Sequence, residues 1–209
     1  MRFPHGLGRE HRTVLLAVVV GSLTGLGVAV FDRIVAVGLF GRVARAPLPL
    51  QVAMPLVGLG LAAVTLHLVA HRTDPSTADE YIRNFHDRNR RMDLRPVAGR
   101  LIASAFTLGS GVAMGFEGPS IYLGASIGTS IQHRASRWFT RDEAKVLMVA
   151  GAAAGVAAIF KAPATGALFA LEVPSQADLV RRMLLPALFS AASGYLVFVA
   201  INGTEALFP

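Results

Sequence analysis

Between Leu101 and Gln132 the chain carries one formal charge, Glu117, and one other ionisable group, the phenol of Tyr122. An uncharged run of this length suits a bilayer, which takes about 20 apolar residues per helical crossing. A carboxylate at that depth costs on the order of 3 kcal/mol or more unless it faces a protein cavity or is protonated, so Glu117 demands a function. Its neighbours narrow the choice. Gly115 and Gly118 flank it, and Pro119 follows where a helix could begin, since the first turn has no use for the missing N–H. The pattern predicts a helix broken at Met114 to Glu117 and restarted at Pro119. Backbone N–H groups left bare at such a restart attract anions.

The rest of the chain agrees with a membrane setting. Of 209 residues, 53% are hydrophobic and 16% charged, too apolar for a soluble domain of this size, so the expected class is an all-α polytopic membrane protein. The formal charge of +7 invites a nucleic-acid reading. That reading fails because the basic residues cluster in short segments between apolar spans, where they act as topology signals, so no nucleic-acid partner is expected. With no cysteine, a disulfide or a cysteine metal site is excluded, and no metal or cofactor is expected. Small residues recur four apart, at Gly21/Gly25, Gly111/Gly115, Gly124/Gly128 and Gly151/Gly155, a spacing that lets membrane helices approach closely.

Read in order, residues 1–12 carry Arg2, Arg9 and Arg12 and precede an uncharged span from Thr13 to Phe31, longer than the 7–15 or so residues of a signal-peptide core. A cytoplasmic N-terminus follows from the positive-inside rule. A second span runs from about Leu50 to Ala70. Residues 71–100 are polar and strongly charged, a cytoplasmic linker in which Asp74–Glu80 reads as a helix start, with Ser76 or Thr77 as cap and acids in the first turn. Residues 101–209 form a region of broken helices. Val146–Phe160 is followed by a second break at Lys161-Ala162-Pro163, Ala164–Leu171 is long enough for about half a bilayer, and Met183–Thr204 makes a last full span. The whole chain, 1–209, reads as one transmembrane domain. Interrupted apolar segments in pairs are what build ion sites near the midplane of transporters.

These residues resemble the CLC family of chloride channels and chloride/proton antiporters. The resemblance is carried by Gly115-Phe116-Glu117-Gly118-Pro119 with its tail to Gly128, and by Gly151 to Pro163 running on through Gly166 to Glu172. It implies the first inverted-repeat half of the CLC fold, seated in a lipid bilayer and transporting chloride or a similar anion. It also implies that Glu117 is the gate, its ionised side chain competing with the anion for one helix N-terminus. Phe116 and Gly118 would supply backbone N–H groups, and Ser76 is the match for a serine that completes the family's central site, with simple helix capping as the alternative. A homodimer is implied, paired through helices matching about 164–172 and 182–201. Short termini suggest a bacterial inner membrane.

Three departures shape the expected activity. Phe116 stands where the family commonly has a basic residue, and Lys161, where an uncharged residue is common, either restores some positive charge or is snorkelling or ion-paired. Val173 stands where the antiporters carry an internal proton-transfer glutamate. Passive, channel-like conduction is therefore expected over proton-coupled exchange, unless Glu172 substitutes. Lastly, the motifs of the family's second half have no match before Pro209, so the chain looks like a half that needs a second-half chain. The alternative is a non-conducting assembly half that dimerises in the membrane. An enzyme is not expected, because Glu117 has no His, Ser or metal-ligand partner at suitable spacing.

Overall fold

The computed structural model describes residues 7–69, 76–87, 92, 95–139, 143, 145–174 and 181–204. The basic extreme N-terminus and much of the 71–100 segment, including Asp74 and Pro75, lie outside the described residues. The described residues are all-helical. α1 (Leu7–Asp32) continues as a π-helical stretch, Arg33–Phe40, into the short α2 (Gly41–Val43), and α3 spans Leu48–Leu68. α4 (Ala78–His86), α5 (Arg95–Gly109) and α6 (Glu117–Arg134) follow, then α7 (Val146–Phe160), α8 (Pro163–Glu172) and α9 (Arg181–Asn202). Among the described residues, three helical stretches are long and apolar enough to cross a membrane: Glu10–Val43, Leu48–Leu68 and Arg182–Asn202.

α7 is the centre of the molecule. Every residue from Val146 to Ile159 is buried, packed by α6, α9, α8 and α1. Glycine makes this possible. Gly124 of α6 and Gly151 of α7 face each other so closely that a methyl on either would overlap the other's carbonyl. Gly128 packs in the same way on Leu147, and Gly155 on Ser120. On the opposite flank Gly21 and Gly25 of α1 meet Ser190 and Gly194 of α9. Three of the four small-residue pairs read from the sequence thus lie at helix crossings, where backbone approach replaces side-chain interdigitation. The fourth, Gly111/Gly115, lies in the break between α5 and α6 instead.

The breaks have local causes. α5 ends where Val112 N–H donates to Thr107 O at 3.4 Å and Gly111 N–H to Leu108 O at 3.1 Å, with Gly111 at φ +92. That is a helix-stopping loop built on a left-handed glycine. The helix therefore stops earlier than the sequence pattern predicts, and α6 resumes at Glu117, two residues before Pro119. Pro119 still falls in the first turn, where it costs no hydrogen bond. The second break turns at Lys161, left-handed at φ 54, and Pro163 opens α8. The π-helical stretch serves the first break: Leu39 packs on Gly109 and Phe40 on Gly111.

Polar side chains in the apolar body bond to the backbone. Ser126, Thr129 and Ser130 of α6 donate to the carbonyls of Tyr122, Ala125 and Ser126, a way of satisfying hydroxyls without leaving the helix. Gln132 joins the end of α6 to the start of α7: its Nε2 donates to Glu143 O, and its Oε1 accepts the Leu147 N–H at 3.0 Å. Lys145, in the turn before α7, is half-buried, and burial lowers its pKa, an effect that nearby Asp87 only partly counters.

Candidate functional site

A cavity of about 490 Å³ lies where α3, α5 and the start of α6 meet. Leu59, Ala62, Ala63 and Leu66 of α3 form an apolar wall. Arg100, Ser104 and Thr107 of α5, Thr77 at the head of α4, and Gly115, Glu117 and Gly118 make the polar side. The opening residues of α6 bring N–H groups that no carbonyl one turn earlier can accept, and the first helical bond of that turn is Ser120 N–H to Phe116 O at 3.1 Å. These bare donors carry the positive end of an 18-residue helix.

Glu117 is half-buried and folds back on its own helix start. A methyl group at Gly115 would overlap its carboxylate, so the glycine before it is the space the side chain occupies. Gly118 has a similar reason: a Cβ there would sit 2.5 Å from Thr77 Oγ1. The buried Thr77, the N-cap of α4, makes no side-chain capping bond and instead sets its hydroxyl against the start of α6. The two helix heads therefore converge on one spot, with a carboxylate and a hydroxyl beside them.

The remaining sequence candidates separate. Ser76 is half-buried but does not line this cavity, whereas its neighbour Thr77 does. The side chain of Phe116 turns away from the cavity into an apolar cluster with Val28, Ile159 and Phe198, edge-on to Phe31 with centroids 5.9 Å apart. Phe116 does not line the cavity, and its backbone forms the N-cap of α6. Lys161 sits with Asp32, whose carboxylate accepts a 2.9 Å bond from Asn202 Nδ2 and feels the lysine charge. Lys161 itself lies at the α7–α8 turn. Glu172 is exposed at the end of α8 and does not line the cavity, and Val173, half-buried, caps that helix with its N–H to Phe169 O. Among the described residues no cluster of acids and histidines could hold a metal.

Sequence reasoning missed a buried polar network behind the cavity. Arg100, placed by the charge pattern in the linker, is 4% exposed in α5 and pairs with Glu80 of α4 at 3.8 Å. Its guanidinium also lies over the Tyr122 ring, 4.9 Å from the centroid. Asn84 donates to both the carbonyl and the carboxylate of Glu80, and Tyr81 O–H donates to Ala170 O at 2.5 Å, tying α4 to α8. The one available signal was that Arg100 directly precedes the uncharged run and lies 20 residues after an acid, Glu80, on a short helix.

This arrangement of broken helices around a carboxylate has known counterparts. The sequence profile described as voltage gated chloride channel matches residues 58–209. The chain belongs to the CLC family. It is 34% identical over 168 residues to the H(+)/Cl(-) exchange transporter ClcA of Vibrio cholerae, covering 77% of this chain and 35% of that protein. A shorter match, 42% identical over 89 residues, is to chloride channel protein CLC-d of Arabidopsis thaliana, 11% of its length. Among solved structures, a slow cyanobacterial Cl-/H+ antiporter superposes with TM-score 0.72 at 27% identity, and a CLC-type fluoride/proton antiporter with TM-score 0.78 at 25%. Each covers 93% of this chain, which spans 48% of theirs. The chain therefore spans about half the length of its solved CLC relatives and about a third of the curated one. CLC proteins are multi-pass membrane transporters, not enzymes.

Proposed function

We propose that this chain forms one half of a CLC anion pathway, in which chloride or a similar anion binds at the heads of α6 and α4 and Glu117 is the gate. The observation that carries the reading is the fold of Glu117 against Gly115 at the start of α6, a carboxylate resting where the helix would otherwise hold an anion. Backbone N–H groups from Phe116 to Gly118 bind the anion in its place when Glu117 is protonated or displaced. Thr77, lining the cavity, is a better hydroxyl partner than Ser76. A second half of the pathway, on the same or another polypeptide, supplies the facing wall.

Conduction is passive in this reading. Val173 cannot carry a proton, and the adjacent carboxylate, Glu172, is exposed at a helix end away from the cavity. The relatives named as exchangers make proton coupling the alternative to be tested. A second copy is the proposed partner, seated on α8 and α9, which leave Leu168, Phe169, Leu185 and Phe189 uncovered. A bacterial inner membrane is the proposed location.

Reconstitution in liposomes tests both claims, using protein expressed from its full reading frame. Wild type should conduct chloride, and Glu117→Gln, which removes the competing carboxylate, should raise the flux or abolish its pH dependence. Absence of flux from either form at every pH would overturn the reading. Proton uptake driven stoichiometrically by a chloride gradient would overturn passive conduction alone. Flux accompanied by a monomer in crosslinking would remove the second copy.

A further inference from the structure

Three elements bring their cations to one end of the helical body, away from the cavity. Leu16, Ala17 and Val20 of α1 pack with Ile127 and Ile131 of α6, with Phe139, and with Leu147 and Ala150 of α7. The start of α1, the end of α6 and the loop into α7 therefore share that end. Arg12 lies one turn before Leu16, and His133 and Arg134 close α6. The chain then stays wound, with Ala135 N–H donating to Ile131 O at 2.9 Å, Trp138 N–H to Ala135 O at 2.9 Å and Phe139 N–H to Ser136 O at 3.2 Å. Arg134 and Arg137 thus fall on successive turns. Phe139 packs inward on the apolar cluster, while Trp138, the only tryptophan of the chain, is 42% exposed beneath the Arg137 guanidinium, 5.7 Å from its ring centroid.

Arg12, Arg134 and Arg137 are all exposed, and among the described residues none of them pairs with a carboxylate. The acids described at this end are Glu10, Glu143 and Asp87, the last of which faces Lys145. Arg12 immediately precedes the uncharged run Thr13–Phe31, and Arg134 follows the long apolar run that ends at Gln132. Such cations stand where hydrocarbon gives way to headgroups, the depth at which tryptophan also settles.

We propose that this end is a seat for an anionic phospholipid, with Arg134 and Arg137 on the headgroup phosphate and the Trp138 ring along the glycerol and upper acyl chain. A guanidinium fork matches phosphate oxygens two at a time. The indole, an apolar body with one N–H, suits that boundary. A zwitterionic headgroup carries its own ammonium, so the net attraction goes to the anionic lipid. None of these residues lines the cavity beside Glu117, so the seat is a separate site.

Trp138 is its own reporter. Protein expressed from its full reading frame is reconstituted at low salt in mixed phosphatidylcholine and phosphatidylglycerol vesicles, with bromine in the upper acyl chain of one lipid or the other. The Trp138 signal is the difference from Trp138→Phe. Quenching should show the anionic lipid enriched beside Trp138 about five-fold over its bulk share, and high salt should shrink that enrichment. Arg134→Gln/Arg137→Gln should bring it close to the bulk share, whereas Arg134→Lys/Arg137→Lys should keep most of it. Equal quenching by the two brominated lipids in wild type would overturn the proposal, as would an unchanged preference in the folded glutamine pair. Should that pair not fold, the salt series on wild type decides, and a preference indifferent to salt overturns it. Inorganic phosphate should displace the lipid no better than chloride at equal ionic strength; stronger displacement would make this a site for free phosphate and overturn the lipid assignment. No flux is read, so the outcome is independent of the anion-pathway reading.

Discussion

α7 and α3 are both apolar helices, yet they meet opposite surroundings. All of α7 except Phe160 is buried within the chain, while α3 buries only Gly58, Ala62 and Thr65 and leaves Leu48, Val52 and Leu56 more than 70% uncovered. The cause is side-chain size and what packs around it. From Val149 to Ala158, α7 is a run of alanine, glycine and valine narrow enough to be enclosed by four other helices. α3 carries leucines on much of its surface, and only its small residues are buried, with Leu59 and Leu66 reaching the cavity beside Ala62 and Ala63. An enclosed helix is fixed by backbone contacts that tolerate no added atom. A peripheral one offers a surface for lipid or a partner and one wall for a site.

Substitutions at matched glycines probe this contrast most strongly. Gly151→Leu should cost about 3 kcal/mol or more, because the group it would displace is the Gly124 backbone rather than a mobile side chain. Gly60→Leu on α3, where nothing lies within 4 Å, should leave the thermal midpoint in detergent unchanged. Equal melting of the two variants would end the distinction between enclosed and peripheral helices.

A smaller effect is expected where the enclosed body reaches α4. Tyr81→Phe removes a buried hydrogen bond and leaves Ala170 O without its partner, at a cost of about 1–2 kcal/mol. Unfolding measured by intrinsic fluorescence should show this as an earlier transition, and an unchanged one would mean that α4 is not anchored to α8 by this bond.

The smallest effect on stability should come on the cavity side, where function responds instead. Gly115→Ala puts a methyl in the space of the Glu117 carboxylate and should drive the side chain from its resting place. Flux should then resemble that of Glu117→Gln, open and independent of pH, with a thermal midpoint near wild type. Wild-type pH dependence in Gly115→Ala would show that the carboxylate does not need this seat.

Much of the fold was legible in advance because membrane helices announce themselves. The uncharged runs located α3, α7, α8 and α9 to within a few residues, α1 begins well before the Thr13 read from the sequence, and the lone Glu117 among glycines pointed to a residue that lines the cavity. Each of these follows from a one-dimensional constraint: a charge or a proline in an apolar run has few tolerable places. The restart of α6 was misplaced by two residues because Pro119 fits any position of a first turn, so its presence does not choose one.

Other features depended on which helices meet. Nothing in the sequence order separates Ser76 from Thr77; only the approach of the α4 head to Gly118 selects Thr77. Arg100 looked like one more linker charge until α5 began at Arg95 and carried it into the cavity wall beside Tyr122. The sequence by itself determined the membrane class, the broken helices and the carboxylate at a helix head, since these are matters of solvation and backbone chemistry along one strand of chain. The tertiary structure alone decided which hydroxyl and which cation share the cavity with Glu117, because that is set by contacts between residues far apart in sequence.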